Sequence, residues 1–430
     1  MDRKLNAKAS LGSYTVVFLF GILVFALRNS LNGVFYPNLL YEDGTSLFQP
    51  FYNGRELSYI FDYWNGYLYI VPKVIAYLLS FFPASLIPHF YALVAMLFAA
   101  ITFVILFEML QNFFEERFAF FSTLILVVLP LGYHHLITSL SFMIWNIFLV
   151  LVLLYFIPVP QSKYKRWFYS VAGMVMAVSH PLAVLMLPLY LYRLRMDPQN
   201  KWVHGLFALA VILYFGLGMV PKAMHFSQLS VLYHALMGGV VVGSIFGPIK
   251  TASFIIHDSL SVYGAMILVL LFALWGVFWS EKKRGEKELF FVSLYLIVST
   301  VSISMLAGNY NEKLMIPWEM TRYLFVARVL FWVLLFSACL PLIRRSVKMI
   351  YLCVLLMGLV LIANTLGPYN GVYKYYTSNN RGKAVLEFVS QIPAYKEECQ
   401  DSEEKEFILK QGGTGTMFDV RVKGCDFSIK

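Results

Sequence analysis

Long apolar runs, separated by short polar loops, recur between residues 12 and 366. Residues 12–28, 89–110, 118–131, 140–157, 202–220, 262–279, 289–306, 324–343 and 349–366 each read as one such run. Their lengths approach the roughly 20 residues with which a helix crosses a hydrocarbon core of about 30 Å. Backbone groups in lipid have to be satisfied within the segment, so these runs predict helices, and the short alternating strands of a membrane barrel are absent. Two shorter runs, 167–178 and 182–192, are broken at Ser179-His180-Pro181 and predict a hairpin that enters the membrane and returns. The expected fold is all-α, a polytopic transmembrane helix bundle of about 11 helices.

Charge orients the bundle. Lys4 and Lys8 precede the first run; Lys163, Lys165 and Arg166, then Arg193, Arg195 and Lys201, then Lys282, Lys283, Arg284 and Lys287, then Arg344, Arg345 and Lys348 fill later loops. With the N-terminus in the cytoplasm and the C-terminus outside, all of these fall on one side, as the positive-inside rule expects. The net charge of +10 is therefore read as topology and not as nucleic-acid binding. Charged residues make up only 13% of the chain, against about 25% in soluble domains. No clean small-residue cleavage site follows the first run, so it reads as a retained signal anchor.

The outer side then holds residues 29–88, 132–135, 221–261, 308–323 and a tail from 367 to 430. Within the first loop, residues 66–82 are semi-apolar but interrupted by Pro72 and Lys73, which fits an interfacial surface helix better than a span. Residues 237–246 are apolar and glycine-rich and fit a re-entrant or surface segment. Residues 1–366 form one membrane module. The tail, with a strand-like stretch at 417–422, reads as a small appendage. Cys339 and Cys353 lie in apolar runs; Cys399 and Cys425 lie in the tail, where they form either a disulfide or two free thiols. The chain has no internal repeat, against the inverted-repeat pattern of many transporters.

Chemistry concentrates in the first outer loop, at Tyr41-Glu42-Asp43-Gly44. Two adjacent carboxylates beside a membrane helix serve either as ordinary turn residues or as a general base. Farther on come Tyr67-Leu68-Tyr69-Ile70-Val71-Pro72-Lys73, the Thr138-Ser139-Leu140 to Trp145 entry into the fourth run, and the Ser179-His180-Pro181 break. Together these stretches resemble bacterial integral-membrane glycosyltransferases of the C superfamily, closely over roughly the first 200 residues and in topology beyond. The resemblance implies a polyprenyl-phosphate-linked sugar donor, a glycan or glycolipid acceptor of the cell envelope, and an active site on the extracytoplasmic face of the bacterial inner membrane. It also implies that an acidic residue of the first loop deprotonates the acceptor. Asp43 is that candidate, with Glu42 second. The second acid that many members carry after the third helix is missing, and His134 and His135 stand in its neighbourhood.

A departing lipid phosphate needs positive charge. Arg322, paired with Tyr323 at the outer end of the tenth helix, is the first candidate, because a guanidinium contacts phosphate in two places. Headgroup snorkelling is the alternative. Arg328, deeper in the same run, is an intramembrane charge of the kind that tends to be functional. Lys73 is a third. His134 and His135 are donors to phosphate or sugar, or interfacial polar residues. Phe51, Tyr52, Trp64 and Tyr67 either stack on a sugar or belong to an interfacial aromatic belt. His180 is expected to satisfy a helix break on the cytoplasmic half, away from the chemistry. His257-Asp258 reads as a cap or a second site. No Asp-x-Asp or histidine cluster with ligand spacing appears, so no metal is assigned, although carboxylates suit Mg, Ca and Mn. The absence of a Walker loop, a dinucleotide fingerprint and a nucleophile elbow argues against ATP or nucleotide-sugar use. Two other activities compete with the transferase: a flippase or transporter for a lipid-linked glycan, and an oligosaccharide polymerase or ligase working from residues 221–261. A partner that has kept the fold without the chemistry is a third.

Overall fold

The computed structural model describes residues 10–28, 39, 43–53, 56–64, 67–129, 131, 135–216, 232–233, 235–244, 284–306, 317–345, 406–409 and 420–423, with single positions 264, 267, 271, 275 and 279. Glu42, His134, Cys353, Cys399, Cys425, the pair His257-Asp258 and the run at 349–366 lie outside the described residues.

Helices carry the fold: α1 (Leu11–Arg28), α2 (Gln49–Asn53), α3 (Ile70–Leu79), α4 (Ile87–Gln111), α5 (Glu116–Val128), α6 (His135–Thr138), α7 (Met143–Phe156), α8 (Lys163–Ala177), α9 (Leu187–Met196), α10 (Lys201–Gly216), α11 (Arg284–Leu306) and α12 (Pro317–Arg345). Two short antiparallel hairpins accompany the helices. The first pairs β1 (Tyr63–Trp64) with β2 (Tyr67–Leu68), and the second pairs β3 (Glu406–Leu409) with β4 (Val420–Lys423).

The organising element is α7. Every side chain from Met143 to Phe156 is buried, as expected of a helix that is apolar on all faces. It is flanked by α4, α8 and α12. By contrast α1 keeps Leu19, Leu23 and Leu27 exposed along one stripe, and α10 keeps Leu209, Ile212 and Leu213 exposed. Contiguous apolar faces of this kind need a nonaqueous neighbour. Among the described residues, two helical stretches are long and apolar enough to cross a membrane, Ala84–Gln111 and Gly285–Ser304.

Three details depart from the expected pattern. Pro72 and Lys73 do not interrupt a helix: α3 begins at Ile70, which puts Pro72 in the first turn, where its missing N–H costs nothing. At 10 residues α3 is about 15 Å long, too short to cross a bilayer. Helix α12 begins at Pro317 rather than at 324, so Arg322 and Tyr323 belong to its first turns. The glycine-rich stretch is helical, a π-helix over Ala235–Val242 packed on α12. The strand-like part of the tail forms β4, which runs beside residues 43–53.

Candidate active site at the head of the central helix

Asp43 opens a π-helix, Asp43–Phe48, and is completely buried. Its Oδ1 accepts the backbone N–H of Ser141 at 2.6 Å and the Ser139 hydroxyl at 3.1 Å. The same Ser139 oxygen lies 2.7 Å from the Ser141 hydroxyl and accepts the Phe142 N–H at 3.3 Å. Ser141 is thus held from two sides, because the Tyr69 hydroxyl donates to its carbonyl oxygen. The loop entering α7 and the acidic loop after α1 are tied into one polar knot. Short serines make this turn because their hydroxyls compete with the backbone for hydrogen bonds and so favour helix entries.

Arg322 reaches the same turn from α12. Its guanidinium lies 5.2 Å from the centroid of the Phe142 ring and 4.9 Å from that of Tyr323, and Nη2 donates to the Tyr323 hydroxyl at 3.1 Å. Cation–π contact holds the charge near these rings. Ser141 binds the carboxylate and Phe142 carries the guanidinium, so the two candidate groups contact adjacent residues of one turn. Tyr323 meets Trp145 edge-on at 5.1 Å.

His180 is found here too, and this corrects the expected placement. It sits at the hairpin apex, stacked on Phe148 at 5.0 Å and edge-on to Trp145 at 4.9 Å. Those residues occupy the first two turns of α7, below Ser141. The hairpin of α8 and α9 therefore carries its apex to the Asp43 end of α7, not to the opposite half.

Lys73, Arg328, Phe51 and Tyr52 are each engaged in backbone or packing contacts. Lys73 is fully buried; Nζ donates to the carbonyls of Tyr59 (2.9 Å) and Asp62 (2.8 Å) and lies 3.9 Å from the Tyr59 ring centroid. Burial lowers its pKa to about 8, opposed by the Asp62 charge. This cradle makes Lys73 a clamp between α3 and residues 59–62. Arg328 is 1% exposed and donates from Nε to Gly239 O (2.8 Å) and from Nη1 to Leu131 O (3.2 Å). It joins the π-helix and the end of α5's loop to α12. Phe51 and Tyr52 are core residues: Tyr52 stacks on Phe48 at 4.3 Å and its hydroxyl donates to Phe82 O, while Phe51 meets Tyr59 edge-on. Trp64 and Tyr67 are backbone register partners in the first hairpin. His135 begins α6, directly before Thr138-Ser139. Among the described residues no three His, Cys, Asp or Glu come together as a metal site.

The opposite end of α7 holds a second polar cluster. Arg193 pairs with Glu288 at 2.8 Å, and the Tyr155 hydroxyl donates to the same Glu288 oxygen at 3.3 Å. The 14 residues of α7 place the two polar layers about 21 Å apart, with apolar packing between them.

No protein-family model, curated protein or solved structure matches this chain.

Proposed function

We propose that the chain is a multi-pass membrane glycosyltransferase that moves a sugar from a polyprenyl-phosphate donor to an envelope glycan or glycolipid on the extracytoplasmic face. The observation that carries this reading is the convergence of Asp43 and Arg322 on Ser141 and Phe142 at the head of a fully buried helix. In the reaction, Asp43 takes the proton of the acceptor hydroxyl. The acceptor oxygen bonds to the anomeric carbon as the bond from that carbon to the phosphate oxygen breaks. Polyprenyl phosphate leaves with the electron pair, and Arg322 stabilises its charge.

The membrane part of the proposal is a bundle of about 11 helices, N-in and C-out, with α3 on the outer surface. Three observations support it. The apolar stripes of α1 and α10 face outward. The Arg193, Glu288 and Tyr155 cluster joins three segments that the basic loops put in the cytoplasm. Strand β4 lies beside residues 43–53, as the proposed even number of crossings between the first loop and the tail requires.

The test is transfer in reconstituted proteoliposomes. Undecaprenyl-phosphate hexoses and pentoses are supplied with an envelope glycolipid extract. The proposal expects one donor to release undecaprenyl phosphate in step with sugar gained by glycolipid, and nucleotide sugars to be inert. Movement of a lipid-linked glycan across the bilayer with no bond broken would replace the transferase with a flippase.

A further inference from the structure

His180 is wholly buried, and its Nδ1 accepts the Leu182 backbone N–H at 3.0 Å. This bond fixes the tautomer. An Nδ1 that accepts carries a lone pair, so the neutral ring holds its proton on Nε2. Ring geometry directs Nε2 away from Leu182. Among the described residues Nε2 has no hydrogen-bond partner, and a buried donor left unpaired is costly.

The donor is therefore held rigidly in wait of an acceptor. Phe148 stacks on one face of the imidazole at 14°, and Trp145 abuts it at 69°. Trp145 in turn touches Tyr323, the partner of Arg322. A fixed N–H and a guanidinium thus flank one Trp145–Tyr323 pair. An anionic oxygen is the acceptor that suits both.

We propose that His180 Nε2–H is a second phosphate donor of the active site, binding a non-bridging oxygen of the polyprenyl-phosphate headgroup while Arg322 holds the charge. This deepens the transferase reading and rests on it. It gives the hairpin a purpose beyond filling space: it delivers one neutral donor at the depth of the lipid phosphate. A neutral donor there orients the headgroup without adding a second buried cation.

The experiment separates the cap from the donor. His180 is the N-cap of the helical turn Pro181–Met186, and asparagine and serine cap helices well. His180→Asn keeps an acceptor for Leu182 N–H and removes the Nε2 donor; His180→Ser is the second variant should packing fail in the first. Dissociation constants come from ligand-dependent thermal stabilisation of purified protein in detergent. The ligands are undecaprenyl phosphate, undecaprenol and a dioleoyl phosphatidic acid. Undecaprenyl phosphate is expected to bind the capped variants at least roughly tenfold more weakly than wild type. Undecaprenol, lacking phosphate, is expected to bind wild type and variants equally. Equal affinity of the capped variants for undecaprenyl phosphate overturns the proposal, as would a permanent bound water on Nε2. Equal loss for phosphatidic acid assigns the donor to any lipid phosphate and overturns polyprenyl selectivity. Failure of wild type to bind undecaprenyl phosphate would overturn the transferase reading itself.

Discussion

Glycine 243 offers a direct test of how the buried arginine is held. A Cβ at this position would stand 2.7 Å from Arg328 Nη2, 3.2 Å from Cζ and 3.3 Å from Nε. The tip of an arginine normally swings aside at little cost. This one is anchored by bonds of 2.8 Å to Gly239 O and 3.2 Å to Leu131 O. Breaking one charge-assisted bond costs roughly 1.5–3 kcal/mol, and absorbing the clash as strain costs roughly 1–3 kcal/mol. Gly243→Ala is thus expected to destabilise by about 2 kcal/mol by either route. The assay is equilibrium unfolding in mixed micelles by SDS titration, run as a double-mutant cycle with Arg328→Met. Removing the guanidinium removes the obstacle, so alanine at 243 should cost little in that background and the coupling should be about 2 kcal/mol. Additive costs would refute the placement of Arg328 against this segment.

Three further outcomes are expected. Lys73 has a folded pKa of about 8 because burial disfavours its charge; between about pH 8 and 10 the unfolded chain binds more protons, so stability rises with pH in that window, and Lys73→Met should abolish the increment seen in unfolding titrations. A Cβ at Gly173 would stand 2.3 Å from Cζ and 2.4 Å from Cε1 of Phe207, so Gly173→Ala should cost about 1–3 kcal/mol by prising α8 from α10, and an unchanged SDS midpoint would contradict that packing. Because β4 lies beside α2, single cysteines at Gln49 and Arg421, in a cysteine-free background, should be labelled by an impermeant maleimide from the same side of sealed vesicles; opposite-side labelling would break the topology.

The apolar runs were legible because burial against lipid or protein needs continuous hydrophobicity, and α1, α4, α7 and α10 fall close to their expected positions. Asp43 was legible as the notable carboxylate of its loop, and the Thr138-Ser139-Leu140 stretch stood out as a motif. Their pairing was not, since a contact across 96 and 98 positions leaves no local signal. The start of α12 at Pro317 was missed because Trp318, Glu319 and Thr321 are polar or interfacial and interrupt the hydrophobic count that defines a span. Lys73 and Arg328 read as phosphate-binding candidates in the sequence; each is clamped by backbone carbonyls, a partner that every residue carries and no pattern advertises. The depth of His180 depends on how far the hairpin penetrates, which is set by packing of Phe148 and Trp145 and not by the residues around the break.

The central claim is that Asp43 is the base. Asparagine at 43 keeps an Oδ1 acceptor for Ser141 N–H and the Ser139 hydroxyl while removing the ability to take a proton. The decisive measurement compares wild type and Asp43→Asn in a strain deleted for the gene, at matched membrane levels and matched SDS-unfolding midpoints, with envelope glycolipids weighed by mass spectrometry. The account predicts a shortfall of one hexose- or pentose-sized mass with the variant, a loss of at least roughly a hundredfold in transfer. Glycolipids identical to those of wild type would remove Asp43 from the chemistry and leave it as the tie between the short helix it opens and the entry to the central helix.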